Sequence, residues 1–357
     1  MSTSSHSYPM SSGDDQHSYN NNSSYQKAGI DGIGEKTRQC ILKHFDLLNL
    51  NSNLSTLRIA DFGCATGPNT FHIVENIIDS VKSTHVKENN VVPLEFQVFF
   101  NDQPNNDFST LFRTQSPSSE REYFSAGVPG SFYDRVLPRN SIHIGHTSYT
   151  THWLSKVPEH VCDKKSLAWN KNYIQCNNLL EEVTRAYQVQ FKKDMKVFVE
   201  ARAEEIVPGG LMIVLGQCLL DGVPLFKTWQ GIVVDMIGDC LMDMAKEGLT
   251  SEEKIELFSF PVYFPQFTEL EKEIEQHKSF TIEMMEIVRH PLEDTPLSNK
   301  VVISMFRAIL YTIIKEHFGE DVVNEVFDRF AKKLAQNPID FNECEKNVNY
   351  FMLLKRK

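Results

Sequence analysis

Apolar residues recur at helical spacing from Ile30 to Leu48, where Ile33, Cys40, Ile41, Phe45, Leu47 and Leu48 predict one amphipathic helix. A polar loop, Asn49 to Thr56, leads into a short apolar strand, Leu57 to Phe62. Helical spacing returns over Phe71 to Val81, with Val74, Ile77, Ile78 and Val81 on one side. The β-rich run Leu94 to Phe100, a strand at Ser141 to His146 and a long helix, Gln188 to Glu205, follow. Val207-Pro-Gly-Gly210 predicts a turn and Leu211 to Leu215 a buried strand. Strands alternating with helices in this order predict an α/β fold on a mostly parallel sheet. After Cys218 the pattern changes. Thr228 to Glu247 and Val301 to Gln336 read as mainly helical, and between them lies the Pro- and Phe-rich stretch Ser259 to Phe267.

Composition narrows the function classes. The chain has 357 residues, 41% hydrophobic and 23% charged, which suits a globular enzyme with a large core. Its formal net charge is −11 and no basic stripe is present, which argues against a nucleic-acid partner. No apolar run reaches the ~18–20 residues of a membrane helix, so no membrane partner is expected. The Ser-rich start, Met1 to Gln16, lacks a basic region followed by an apolar one and reads as a disordered tip. The seven cysteines are scattered and never spaced as CxxC, which favours free thiols and a cytoplasmic location.

The stretch ADFGCATGPNT, Ala60 to Thr70, places two glycines between a strand and a helix. Such a turn lets backbone approach a ligand and offers the free N–H groups of a helix start. No Lys-Ser or Lys-Thr follows Gly67, and Pro68 removes a donor where a pyrophosphate needs one. A ligand that presents ribose and an amino-acid tail fits better, and S-adenosylmethionine has that form. The strand ending at Asn101-Asp102 supplies an acidic residue suited to ribose hydroxyls.

At this point the chain resembles the plant SABATH family of carboxyl and N-methyltransferases. The resemblance rests on HSYNNNSSYQ (His17–Gln26), IADFGCATGPNT (Ile59–Thr70), FFNDQPNNDFSTLF (Phe99–Phe112), AGVPGSFYDRVLP (Ala126–Pro138), TSYTTHWLSKVP (Thr147–Pro158), ARAEEIVPGGLM (Ala201–Met212) and EHFGE (Glu316–Glu320), in order along the chain. It implies a Rossmann-like class I methyltransferase core with a mainly helical cap. Residues 1–18 would form the tip, 19–220 with about 338–357 the core, and 221–337 the cap. It implies a cytoplasmic homodimer that moves the methyl group of S-adenosylmethionine to a small plant metabolite. Positions matching the family's cofactor contacts are Tyr19, Ser23, Cys64, Asn69, Asp102, Gln103, Ser131 and Phe132. Gln26, His152 and Trp153 match its substrate positions, and Tyr149 lies between cofactor and substrate.

A carboxylate is already ionised at neutral pH, so methylating it needs placement and no general base. Gln26 and Trp153 are the expected catalytic residues, each giving a neutral N–H to one carboxylate oxygen. Without the motif, Trp153 would read as a core aromatic, His152 as a satisfied polar residue and Gln26 as a surface position. Val234, Met305 and Phe306 are the expected lining of the acid pocket. The aliphatic Val234, with Trp229 as its alternative, leans the substrate toward a terpenoid-type acid rather than a flat benzenoid one. The alternatives are a xanthine-type N-methyltransferase and a cofactor-binding protein without turnover. The resemblance also implies a structural magnesium ion near Asn170, Glu256 and Phe258, although Glu256 and Ser259 depart from the family's Asp and Asn. His143, His146 and His152 form a loose cluster whose spacing suits no metal site.

Overall fold

The computed structural model describes residues 9–13, 16–46, 54–87 and 94–357. Seven strands are present among them: β1 Thr56–Phe62, β2 Glu95–Asp102, β3 Phe124–Pro129, β4 Ile142–Ser148, β5 Ile206–Cys218, β6 Phe280–Val288 and β7 Val348–Arg356. They form one sheet in the order β3-β2-β1-β4-β5-β7-β6. The first five strands run parallel, whereas β7 is antiparallel to both β5 and β6. The helices are α1 Tyr19–Asn22, α2 Ser24–Gly32, α3 Gly34–His44, α4 Asn69–Lys87, α5 Phe108–Thr114, α6 Glu181–Glu205, α7 Trp229–Lys246, α8 Glu252–Glu256, α9 Phe267–Glu275, α10 Asn299–Phe318 and α11 Glu320–Gln336.

The alternation of side chains along the strands builds two cores. Leu211, Ile213 and Leu215 of β5 join Leu57 and Ile59 of β1 against Val74, Ile77 and Val81 of α4. Met212 and Val214 face the other way, with Ala60 and Phe62, onto Tyr187, Phe191, Met195 and Phe198 of α6. A third core joins α7, α10 and α11 through residues such as Val233, Ile237, Leu310, Ile314, Val326 and Phe330. The α/β architecture with a helical addition therefore stands.

Several local expectations change. The helix expected over Ile30 to Leu48 is two helices, α2 and α3, broken at Ile33 (φ −100°, ψ 0°). Gly32 and Gly34 flank the break, and two adjacent poor helix formers favour it. Leu47 and Leu48 lie outside the described residues. The VPGG stretch is not a turn. β5 runs through it, with Gly209 at φ 83° and the residues between Ile206 and Leu211 bulging from the ladder to β4. The helical stretch Val301 to Gln336 is divided at Gly319, which takes φ 101°. The span 221–337 also contains β6, an edge strand of the sheet, so it is not purely helical. Part of the expected disordered tip lies outside the described residues. Its Ser11 is bound on both sides, donating its N–H to Ala308 O at 3.0 Å and accepting from Tyr19 N at 2.9 Å.

Candidate functional site

Strand β1 is the switch point of the sheet, because the chain continues to β2 on one side and β4 lies on the other. Beyond the carboxyl ends of these strands lies a cavity of about 820 Å³. Its lower part is built by the glycine turn. Gly63 (φ 84°) donates to Asn101 O at 2.9 Å, and a Cβ there would fall 2.2 Å from Thr150 Cγ2. Ala65 follows at φ 50°, a strained value for a residue with a Cβ. Asp102 Oδ2 accepts the Ala65 N–H at 2.7 Å and Oδ1 accepts the Gln103 N–H at 2.8 Å. Burial raises the Asp102 carboxyl to about 6 despite these two donors.

The N-terminal helices close onto this turn. Asn69 Nδ2 donates to Ser23 Oγ at 3.1 Å, and Thr66 Oγ1 donates to Asn20 Oδ1 at 3.0 Å. Cys64 is buried and its Sγ contacts its neighbour's carbonyl, Ala65 O, at 3.4 Å. Tyr19, Asp102, Gln103, Ser131 and Phe132 all line the cavity, whereas Ser23, Cys64 and Asn69 do not. The Ser131–Leu137 loop is held from below by a buried ion pair. Arg202 donates Nε to Glu205 Oε2 at 2.7 Å and its guanidinium to Phe132 O and to Asp134 O. Glu205 Oε1 in turn accepts the N–H groups of Val136 at 2.6 Å and Leu137 at 2.9 Å.

The upper part of the cavity collects Gln26, Tyr149, His152, Trp153, Val234, Met305 and Phe306 from α2, the end of β4, α7 and α10. These residues come from four segments of the chain, and all seven line the one cavity. Gln26 is buried and its Oε1 has no partner. Tyr149 takes φ 57°, its N–H donates to Leu215 O at 2.8 Å and its hydroxyl accepts from Asn349 Nδ2 at 3.1 Å. His152 stacks on Phe264 at 4.9 Å, and its Nδ1 is buried without a partner. Burial lowers His152 to about 3, so it is neutral at physiological pH. Trp229 and Val234 both line the cavity, so the two are not alternatives. Trp229 packs edge-on to Tyr25 at 5.9 Å and to Phe306 at 6.0 Å.

The three histidines do not assemble. His143 Nδ1 accepts from Arg58 N at 2.9 Å, and His146 lies between Asp61 Oδ1 at 2.7 Å and Ser148 Oγ at 2.8 Å. No group of three or more His, Cys, Asp or Glu suited to a metal occurs among the described residues. The residues expected around magnesium are otherwise engaged. Glu256 pairs with the Lys164 ammonium, and Asn170 Nδ2 donates to Gln175 O at 2.8 Å. Ser259 Oγ exchanges a hydrogen bond with the Tyr187 hydroxyl at 2.7 Å. Glu256 is the one carboxylate of the set and is shared with an ammonium, and Asn170 and Ser259 are neutral and hydrogen-bonded elsewhere, so this donor set is a poor fit to magnesium.

Sequence reasoning missed Gln175, Gln217, Gln230, Tyr25 and Val262, all of which line the cavity. Two of them left a signal: Tyr25 within the stretch His17–Gln26, directly before Gln26, and Gln230 as a polar residue four before Val234 within the apolar stripe of α7.

A family model described as SAM dependent carboxyl methyltransferase matches residues 5–357. The chain belongs to this family. A probable S-adenosylmethionine-dependent methyltransferase of Arabidopsis thaliana is 70% identical, over 100% of both chains. Loganic acid O-methyltransferase of Catharanthus roseus is 43% identical, over 100% of this chain and 96% of its own. A solved structure of loganic acid methyltransferase with SAH superposes with a TM-score of 0.92 at 42% identity, covering 98% of this chain and 99% of that one. Paraxanthine methyltransferase 2 of Arabidopsis thaliana is 41% identical over 95% of both chains. As a SABATH methyltransferase the chain uses S-adenosylmethionine as methyl donor.

Proposed function

We propose that this SABATH enzyme forms the methyl ester of a small terpenoid-type monocarboxylic acid. The observation that carries this reading is the upper cavity, where neutral donors face an apolar surface that mixes aliphatic side chains with the rings of Trp229, Phe264 and Phe306. Gln26 and Trp153 supply N–H groups, His152 is held neutral, and Val234, Val262, Met305 and Leu310 form the apolar side. Val234 offers an aliphatic surface rather than a ring face, which leans the pocket toward a non-planar skeleton. The similarity to loganic acid O-methyltransferase supports the same class.

S-adenosylmethionine supplies an electrophilic methyl group on a sulfonium. Asp102 takes the ribose hydroxyls, since its carboxylate is buried at the mouth of the glycine turn. Ser131 and Phe132 flank the adenine, while Tyr19, Ser23, Cys64, Asn69 and Gln103 complete or brace the cofactor side. Gln26 and Trp153 hold one carboxylate oxygen and leave the other aimed at the methyl group. Neutral donors orient the anion without the salt bridge that would blunt its nucleophilicity. Tyr149 spaces the two ligands. No step runs through magnesium, and no base is required.

Radiolabel transfer from methyl-labelled S-adenosylmethionine to a panel of isoprenoid, iridoid, benzenoid and indole acids, with xanthines beside them, tests this. Base-labile label on an isoprenoid or iridoid acid is expected; base-stable label on a xanthine would refute it. Gln26→Ala should lower turnover ~10–100-fold, as loss of one donor to a charged group does, while cofactor binding persists. We also propose a cytoplasmic homodimer. The seven free thiols suit a reducing compartment, and light scattering of the purified protein tests the assembly. Melting temperature should not change between magnesium and chelator, because Lys164 already neutralises Glu256.

A further inference from the structure

The wall that α7 gives to the cavity carries a polar site that the carboxylate clamp leaves unused. Gln230, in the first turn of α7, lines the cavity at 8% exposure, and neither atom of its terminal amide has a partner. Gln175 lines the cavity beside it. Its Nε2 donates to Gly231 O at 2.9 Å and to Asp235 Oδ1 at 2.9 Å. Both protons of that nitrogen are thereby used, so Gln175 has only its carbonyl oxygen, an acceptor, to offer. Gln230 still offers a donor and an acceptor. A buried amide without a partner is disfavoured unless a ligand supplies one.

The surroundings restrict what that ligand group is. A hydroxyl donates once and accepts, which matches an acceptor from Gln175 and a donor from Gln230. A second carboxylate or a phosphate fits poorly. Asp235 stands directly behind Gln175. Among the described residues the one Lys or Arg lining the cavity, Lys156, is already paired with Glu159 at 2.9 Å. Around the two amides lie Trp229, Val234 and Phe306, which suit a hydrocarbon skeleton.

We propose that Gln175 and Gln230 form a hydroxyl-recognition site, so that the preferred acid carries one carboxylate and, away from it, a neutral hydroxyl on an apolar skeleton. This rests on the carboxyl-methylation reading and names its substrate class more closely. A plain hydrocarbon acid leaves the Gln230 amide without a partner, and a site built to bond a hydroxyl discriminates strongly against the analogue that lacks it.

The test uses matched pairs of acids with and without the hydroxyl: geranic acid and 8-hydroxygeranic acid, decanoic acid and 10-hydroxydecanoic acid, and cyclohexanecarboxylic acid and its 4-hydroxy derivative. The wild-type kcat/KM ratio, hydroxy over plain, should reach ~10 or more in at least one pair. In Gln230→Met that ratio should fall toward one. The melting temperature of Gln230→Met should match or exceed wild type, because a sealed, unpartnered amide is removed; this separates lost recognition from lost folding. Plain acids turned over as well as their hydroxy partners in every pair would overturn the proposal. So would a Gln230→Met enzyme that keeps the wild-type ratio. No transfer to any acid, or base-stable label on a xanthine instead, would overturn the carboxyl-methylation reading and this proposal with it. The absence of any base-labile product distinguishes that result from the first two.

Discussion

One added methyl group at Gly29 should disable the enzyme without touching a ligand. Gly29 lies within α2, and a Cβ built on it falls 1.7 Å from the Tyr149 hydroxyl oxygen and 3.2 Å from His290 Cδ2. Ordinary contact begins at 3.4 Å, so the tyrosine hydroxyl must retreat by about 1.7 Å. Tyr149 has little freedom to do so. Its backbone sits at φ 57° and is tied to Leu215 O, and its hydroxyl accepts from Asn349. Moving the ring breaks that last bond, at about 1 kcal/mol, and overpacks the site by ~1–3 kcal/mol. The gain in helix propensity from Gly to Ala, about 1 kcal/mol, offsets only part of this. Gly29→Ala should therefore melt a few degrees lower, with ΔΔG of ~1–3 kcal/mol. The larger effect is on rate. Tyr149 stands on the cavity wall between Gln26 and the glycine turn, and a misplacement of ~1 Å there can cost ~100-fold in transfer. The assay is single-turnover methyl transfer, with a double-mutant cycle adding Tyr149→Phe. Removing the hydroxyl deletes the 1.7 Å contact, leaving the ring carbon Cζ at 2.9 Å as the nearest atom. The double variant should then transfer faster than Gly29→Ala multiplied by the effect of Tyr149→Phe alone. A Gly29→Ala enzyme with wild-type kcat/KM and a raised melting temperature would show that propensity alone matters at this position, and the reasoning would fail.

Asp102 makes cofactor affinity depend on pH. Its carboxyl is raised by burial to about 6 in the unliganded protein, and ribose hydroxyls stabilise its charged form, so binding should weaken by ~10-fold from pH 7 to pH 5. The folded state holds this proton more tightly than the unfolded chain, so the Asp102 contribution to apoprotein stability declines from about pH 4 to about pH 6 and levels above it. Calorimetric titration of S-adenosylhomocysteine across that range checks the first statement, and the same slope retained in Asp102→Asn would contradict it. His152, held neutral by burial down to about pH 3, should add no step to the pH–rate profile above pH 5; an inflection near 6.5 that His152→Asn abolishes would show otherwise. Glu205→Gln leaves the buried Arg202 guanidinium without its counter-charge and should destabilise by ~3–5 kcal/mol, measured by urea denaturation. Changing Glu205 and Arg202 together, to Gln and Met, should cost less than the sum of the two single changes.

The parts of this molecule that were legible in its sequence are those where local geometry dictates residue type. Gly63 needs positive φ and no Cβ beside Thr150, and Asp102 ends its strand where two backbone N–H groups converge, so both leave a short-range pattern. Four of the five parallel strands were legible as apolar runs, because burial on both faces leaves little else to choose, whereas β3, a half-exposed edge strand, left no such run and was not read. What escaped was set by distant partners. Ile33 breaks a periodic helix where Gly32 passes Pro291, at which a Cβ would come within 2.7 Å of the ring. The residues Val207 to Gly210 read as a turn by composition, yet they stay in the sheet as a bulge because β4 pairs with Ile206 before them and with Leu211 after them. The cavity wall shows the same limit most clearly. Trp229 and Val234 are five residues apart, more than one helical turn, and counting along the chain forced a choice between them. The wall is wide enough to take both, since α2 and α10 pack so that Tyr25 and Phe306 meet Trp229 while Val234 remains on the same side. Gln175 comes from a loop that carries no periodicity at all, and it reaches the wall only because its amide is tethered to the first turns of α7. Chemistry fixed by the backbone of one turn is readable from one segment, whereas selectivity assembled from four segments becomes readable only when their packing is known.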